Sequence, residues 1–271
     1  MNPELVFYSG STLLESPCWD AKNRTIYCVS IERCIIYGIN TKTQEIKNYP
    51  TNGQVGCVAI RDDGMLISAE KEGIYEIDPQ SGKRKFITQI EKDIEMRYND
   101  GKLDPLSNFL VGAKGYLEEK PNKGKLYWFD GKTTKVLISG ATISNGIDFS
   151  PCGNKLYFID TPTKKVDCYK YDAKQGVAEF ERCLVKIPDA GYPDGMCVDK
   201  DGDIWVAEWE GGKVCKWDVQ TGKKLQEIRL PCKRVTSCCL GGENLDYLYI
   251  TTAKSNDSLV SGGLFRVRLQ E

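Results

Sequence analysis

Six stretches of this chain follow one pattern: a small polar cluster, a short apolar run, a tight turn built on Asp, Gly or Asn, and a second apolar run that ends near an aromatic. They read SPCWDAKNRTIYCVS from Ser16, GCVAIRDDGMLISAE from Gly56, NDGKLDPLSNFLVGA from Asn99, SNGIDFSPCGNKLYFID from Ser144, PDGMCVDKDGDIWVAE from Pro193 and VTSCCLGGENLDYLYITTA from Val235. Equivalent positions fall at 16, 56, 99, 145, 194 and 236, at spacings of 40, 43, 46, 49 and 42 residues. A period of this size marks a unit that cannot bury both of its faces alone and must pack against copies of itself.

The unit is a β-sheet. IYCVS, MLISA, LYFID, IWVAE and LYITT are short, rich in β-branched and aromatic residues, and bounded by turn formers. Asp63-Gly64, Gly153-Asn154 and Asp201-Gly202 supply the positive-φ turns of tight hairpins. A third strand follows, as in GIYEID from Gly73, KLYWFD from Lys125, KVDCYKYD from Lys165 and KVCKWD from Lys213, and then a polar fourth. Helical periodicity is not sustained anywhere. The expected fold is all-β: a six-bladed β-propeller with four-stranded blades, formed by residues 1–271 as one domain. Radial packing around an axis leaves only short, protected edges. ELVFYS near the start and GGLFRVRL near the end both read as strands, and are expected in the same blade, closing the ring. The rival arrangement is an open pair of β-sandwiches.

Charge and composition narrow the function. The chain has 37 Lys and Arg against 38 Asp and Glu, for a net charge of -1, which disfavours nucleic acid and anionic membrane as partners. No apolar run approaches membrane-spanning length, and the N-terminus does not read as a signal peptide, so a cytoplasmic protein is expected. There is no histidine at all. That excludes Ser-His-Asp and Cys-His catalysis and every His-ligated metal site. Twelve cysteines, none spaced Cys-x-x-Cys and many within apolar runs, are expected to be reduced and mostly buried. DKDGDIWVAE from Asp199 has the look of a calcium loop, but its Gly202 is fourth rather than sixth, so a hairpin turn is expected.

In a propeller the innermost strands begin at one end of the central channel. Glu15, Asn99-Asp100, Asn145, Asp194 and Thr236-Ser237 all stand at that phase of their repeats. Strand-end caps would explain any one of them. Two carboxylates and two amides at equal phase instead suit a hard divalent cation such as Ca²⁺, Mg²⁺ or Mn²⁺, and Zn²⁺ less well. Arg97, two residues before Asn99, would stand at the channel mouth as a cation with several donors.

These motifs resemble the regucalcin (senescence marker protein), gluconolactonase and luciferin-regenerating enzyme family. LLESPCWD, RYNDGKLDPLSNFLVG, SNGIDFSPCGNKLYFIDTPTKKVDCYKYD and GYPDGMCVDKDGDIWVAEWEGGKV carry the resemblance, which runs over nearly the whole chain. It implies a six-bladed propeller with one divalent metal held by Glu15, Asn145 and Asp194, and substrate contacts from Arg97 and Asn99. That family's substrate-binding glutamate falls at Leu117 when counted from Arg97 without gaps, which makes the neighbouring Glu118 the candidate here. The function expected is a metal-dependent hydrolase, foremost a lactonase acting on a sugar lactone or similar cyclic ester, with Asp194 as ligand and general base. The alternatives are a calcium-binding regulatory protein without turnover, a hydrolase of nitriles or phosphotriesters, and a propeller scaffold without chemistry. Calcium is the first choice of metal. A small molecule is the expected partner, and a monomer or weak oligomer the expected state.

Overall fold

The computed structural model describes residues 2–188 and 190–269. It is a six-bladed β-propeller of 24 strands, with one short 3-10 turn at Thr161–Thr163. Every blade is a four-stranded antiparallel sheet. In the first five, the strands follow chain order from the axis outward. In the sixth, the strands Val235–Gly241, Tyr247–Thr252 and Gly263–Arg268 are completed by Glu4–Tyr8 from the other end of the chain. The two terminal runs thus pair as expected, with Leu5 opposite Phe265.

The packing explains why these strands are apolar on both faces. Alternate side chains of a strand leave opposite faces of the sheet, and here each face meets a neighbouring blade. Ile204 and Val206 enter a core shared with the fourth blade, alongside Ile159, Val166 and Trp217. Trp205 and Ala207, from the same strand, enter the core shared with the sixth, alongside Val235, Ile250 and Phe265. Six such cores occur, one between each pair of adjacent blades, and the last joins Leu14 and Ile26 of the first blade to Tyr249 and Leu264 of the sixth. Each fully buried Leu, Ile or Val contributes about 1.5–3 kcal/mol, so closing the ring with the N-terminal strand protects a whole inter-blade core.

The six innermost strands share one irregularity. Pairing with the second strand is interrupted after Glu15, Val55, Tyr98, Ser144, Pro193 and Val235, and resumes after one or two unpaired residues. Bulges of this kind re-aim side chains. They release Asn99, Asn145 and Asp194 from the ladder at the same end of the channel, with Glu15 at the edge of its own interruption. In the second blade the released residue is Gly56. A Cβ there would lie 2.5 Å from the carbonyl oxygen of Asn99, so this blade gives up a side chain to let the third blade's backbone reach the axis.

The Asp199–Asp203 segment is a hairpin turn, with Asp199 accepting from the amides of Asp201 and Asp203. All twelve cysteines are free, and eight of them are buried. No helix among the described residues is long and apolar enough to cross a membrane.

Candidate active site

The channel end at which the innermost strands begin gathers Glu15, Arg97, Asn99, Asn145 and Asp194. Arg97, Asn99, Asn145 and Asp194 are buried, at 6–8% exposure, while Glu15 is partly accessible. A directed chain of hydrogen bonds fixes the amides. Nη1 of Arg97 donates to Oδ1 of Asn99 at 2.9 Å and to the carbonyl of Tyr98. Nδ2 of Asn99 donates to Oδ1 of Asn145 at 2.7 Å and to the carbonyl of Ser144. Nδ2 of Asn145 donates to Oγ1 of Thr161, which donates to the carbonyl of Pro193, the residue before Asp194. Three blades are thereby locked in register, and the orientation of each amide is set: the oxygen of Asn145 points toward Asn99 and its nitrogen toward Thr161.

The carboxylates are not compensated in this way. Glu15 is held well above the ordinary carboxylate range, first by burial, then by the charges of Asp194 and Asp100, against the pull of the Ser16 amide and Arg97. Asp194 is also pushed well up, by burial and by Asp100, against Lys114 and Arg97. Among the described residues neither makes an ion pair with either cation. Burial and like charge both disfavour the charged form, so two carboxylates here are poised to accept either protons or a cation. No three Cys, Asp or Glu side chains converge as a metal cluster among the described residues. The donor set is instead two carboxylates and an oriented amide oxygen, hard oxygen ligands that fit Ca²⁺ or Mg²⁺ better than zinc.

Two residues here carry no repeat signal. Lys114 lies in the second strand of the third blade (Phe109–Gly115), directly opposite Arg97. Burial and Arg97 lower its pKa, while Asp194, Glu119 and Glu15 raise it, which places its ammonium among the site's charges. A single lysine within the apolar run FLVGAKG was the only trace of it in the sequence. Thr161 is the second, hidden in the 3-10 turn.

Glu118 is not brought to this cluster. The strand carrying Lys114 ends at Gly115, and the chain folds back so tightly that a Cβ on Gly115 would meet the carbonyl of Glu118. Residues 117–119 are left in solvent, where the Glu118 carboxylate lies 3.4 Å from Lys120. Thr236 is near the axis but spends its hydroxyl within the scaffold, on the carbonyl of Leu14 and on Thr251.

Residues 13–254 match the SMP-30/Gluconolactonase/LRE-like region. The chain belongs to that family. It is 34% identical over 254 residues to regucalcin of Danio rerio, covering 92% of this chain and 86% of that one. Among solved structures, a luciferin-regenerating enzyme superimposes with a TM-score of 0.89 at 28% identity, covering 98% of this chain and 95% of the other. A regucalcin from Agrobacterium tumefaciens, described as a calcium-binding protein, gives a TM-score of 0.91 at 22% identity, with coverage of 98% and 93%. Members of the SMP-30/gluconolactonase family thus share this propeller over almost its full length.

Proposed function

We propose that this chain is a divalent-metal-dependent hydrolase that opens a sugar lactone or similar cyclic ester at the channel end lined by Glu15, Asn145 and Asp194. The observation that carries the reading is the pair of like-charged carboxylates, Asp194 buried and Glu15 partly so, beside fixed donors. Glu15, Asn145 and Asp194 would hold the ion, and calcium suits their oxygens best. When bound, the ion would supply Lewis-acid polarisation of the ester carbonyl and a more acidic water.

The chain's own residues do the rest. Arg97 holds the substrate's hydroxyl or carboxylate oxygens, while Asn99, whose Nδ2 is spent on Asn145 and the carbonyl of Ser144, accepts from a substrate hydroxyl at Oδ1, and their hydrogen-bonded chain keeps that geometry preorganised. Asp194 takes a proton from the attacking water and returns it to the ring oxygen as the carbon–oxygen bond breaks, leaving a hydroxy acid. The family's gluconolactonase members support a lactone as the substrate class. Free cysteines throughout fit a reducing compartment such as the cytoplasm.

The experiment is a hydrolysis screen over sugar lactones with chelated protein, with and without added calcium, magnesium, manganese or zinc. Metal-restored lactone hydrolysis is expected. Metal binding with no hydrolysis of lactones, nitriles or phosphotriesters would leave the calcium-binding regulatory reading in its place.

A further inference from the structure

We propose that Lys114 makes this site selective for lactones that carry a carboxylate, a substrate class that rests on the lactonase reading above. Lys114 faces Arg97 directly across the ladder between two strands of the third blade. Directly opposed residues send their side chains to the same face, so both cations project to the same side of the blade. The two differ in what they are doing. Arg97 spends Nη1 on Asn99 and on the carbonyl of Tyr98. Among the described residues the ammonium of Lys114 donates no hydrogen bond and makes no ion pair. Two other lysines are committed: Lys71 to the carbonyls of Ile94 and Met96, and Lys120 to Glu95 and Glu118.

Lys114 is only partly withdrawn from water, and the three donors of its ammonium stay open to a ligand. Glu15 and Asp194 lie near it, but a divalent cation bound between them would use their charge. Two cations, Arg97 and Lys114, would then face the substrate. On the loop side neither carboxylate makes an ion pair with them among the described residues: Glu118 is turned out to Lys120, and Glu119, whose charge reaches Lys114, stands exposed in water. A neutral sugar lactone leaves Lys114 unsatisfied. A lactone with a terminal carboxylate satisfies it, with the ester carbonyl and hydroxyls left for the rest of the site.

The test compares gluconolactone with glucarolactone, which carries a carboxylate, on metal-loaded wild type, Lys114→Met, Lys114→Gln and Lys114→Arg at neutral pH. In the wild type, kcat/KM is expected to favour glucarolactone. In Lys114→Met and Lys114→Gln that preference should shrink by about tenfold to a hundredfold, as expected for loss of a charge-assisted hydrogen bond, and mainly through KM. Lys114→Arg should recover most of it, and added salt should weaken it in the wild type and in Lys114→Arg but hardly in the two neutral variants. An unchanged preference in both neutral variants would overturn the proposal. If the wild type opens neither lactone, the lactonase reading fails, and calorimetry with open-chain glucarate and gluconate decides Lys114 separately. Tighter glucarate binding that Lys114→Met loses upholds the role of the charge; equal binding of the two acids overturns it.

Discussion

The two ends of the propeller channel use the same kinds of side chain to opposite effect. At the end where the innermost strands begin, Glu15 and Asp194 repel each other and, among the described residues, no cation is bonded to either. At the far end, a cavity of about 500 Å³ is lined by Lys102, Asp148, Asp100 and four cysteines, Cys18, Cys197, Cys238 and Cys239. There Lys102 is ion-paired to Asp148, which also accepts the amides of Phe149 and Val198. Its ammonium is stabilised by that neighbour against the opposing effect of burial. A buried carboxylate that has its partner and its hydrogen bonds holds blades together. One that lacks them adds no stability as an unmatched charge, which is why the proposed metal site is placed there.

Substitutions at the two ends should therefore have opposite signs. Asp194→Asn is expected to cut lactone hydrolysis by about a thousandfold, yet leave the metal-free protein as stable as the wild type or more so at neutral pH. Urea denaturation of the chelated proteins checks this, and a strongly destabilised variant would make Asp194 a scaffold residue. Asn99→Ala should lose about a hundredfold in kcat/KM while keeping its metal, because the chain from Arg97 to Asn145 no longer fixes the substrate. Arg97→Lys should suffer in the same assay, since an ammonium does not reproduce the guanidinium fork. At the far end, Asp148→Asn should cost about 2 kcal/mol of stability by stranding Lys102 in a partly accessible site. Its calcium affinity should stay as in the wild type; a large loss there would mean that the two ends act as one site.

Asp100 stands between the ends and sharpens the contrast through pH. Burial raises its carboxyl to about 6, against the Gly101 amide and Lys102. The stability its protonated form contributes is fully present below about pH 4 and lost as pH rises through about 6. Asp100→Asn should remove that loss. In the metal-free protein it should gain about 1–2 kcal/mol over the wild type at pH 7 and nothing at pH 4, by denaturation at both pH values.

What the sequence made legible follows from what repeats. The blade period, the hairpin turns and the terminal strands of the sixth blade all recur or pair, so pattern alone located them. Glu15, Asn99, Asn145 and Asp194 stood out because they recur at nearly the same phase: strand interruptions there free Asn99, Asn145 and Asp194 from the ladder, and Glu15 stands one position before its own. Lys114 belongs to one blade only and reaches the site across a ladder from Arg97, a contact that no spacing encodes. Glu118 stands apart from the cluster for a related reason. Counting along the chain from Arg97 assumes that the strand continues, and it turns back at Gly115.

The most direct test is calorimetric titration of calcium into chelated protein near pH 6–7, in two buffers of different ionisation enthalpy, for wild type and Asp194→Asn. Carboxyls raised by burial must lose their protons to take a metal, so binding should release protons. One ion per chain is expected for the wild type, with proton release that declines as pH rises, and affinity at least about a hundredfold weaker in Asp194→Asn. Equal affinity in the two proteins, or no calcium bound by the wild type, would contradict a metal held between Glu15, Asn145 and Asp194.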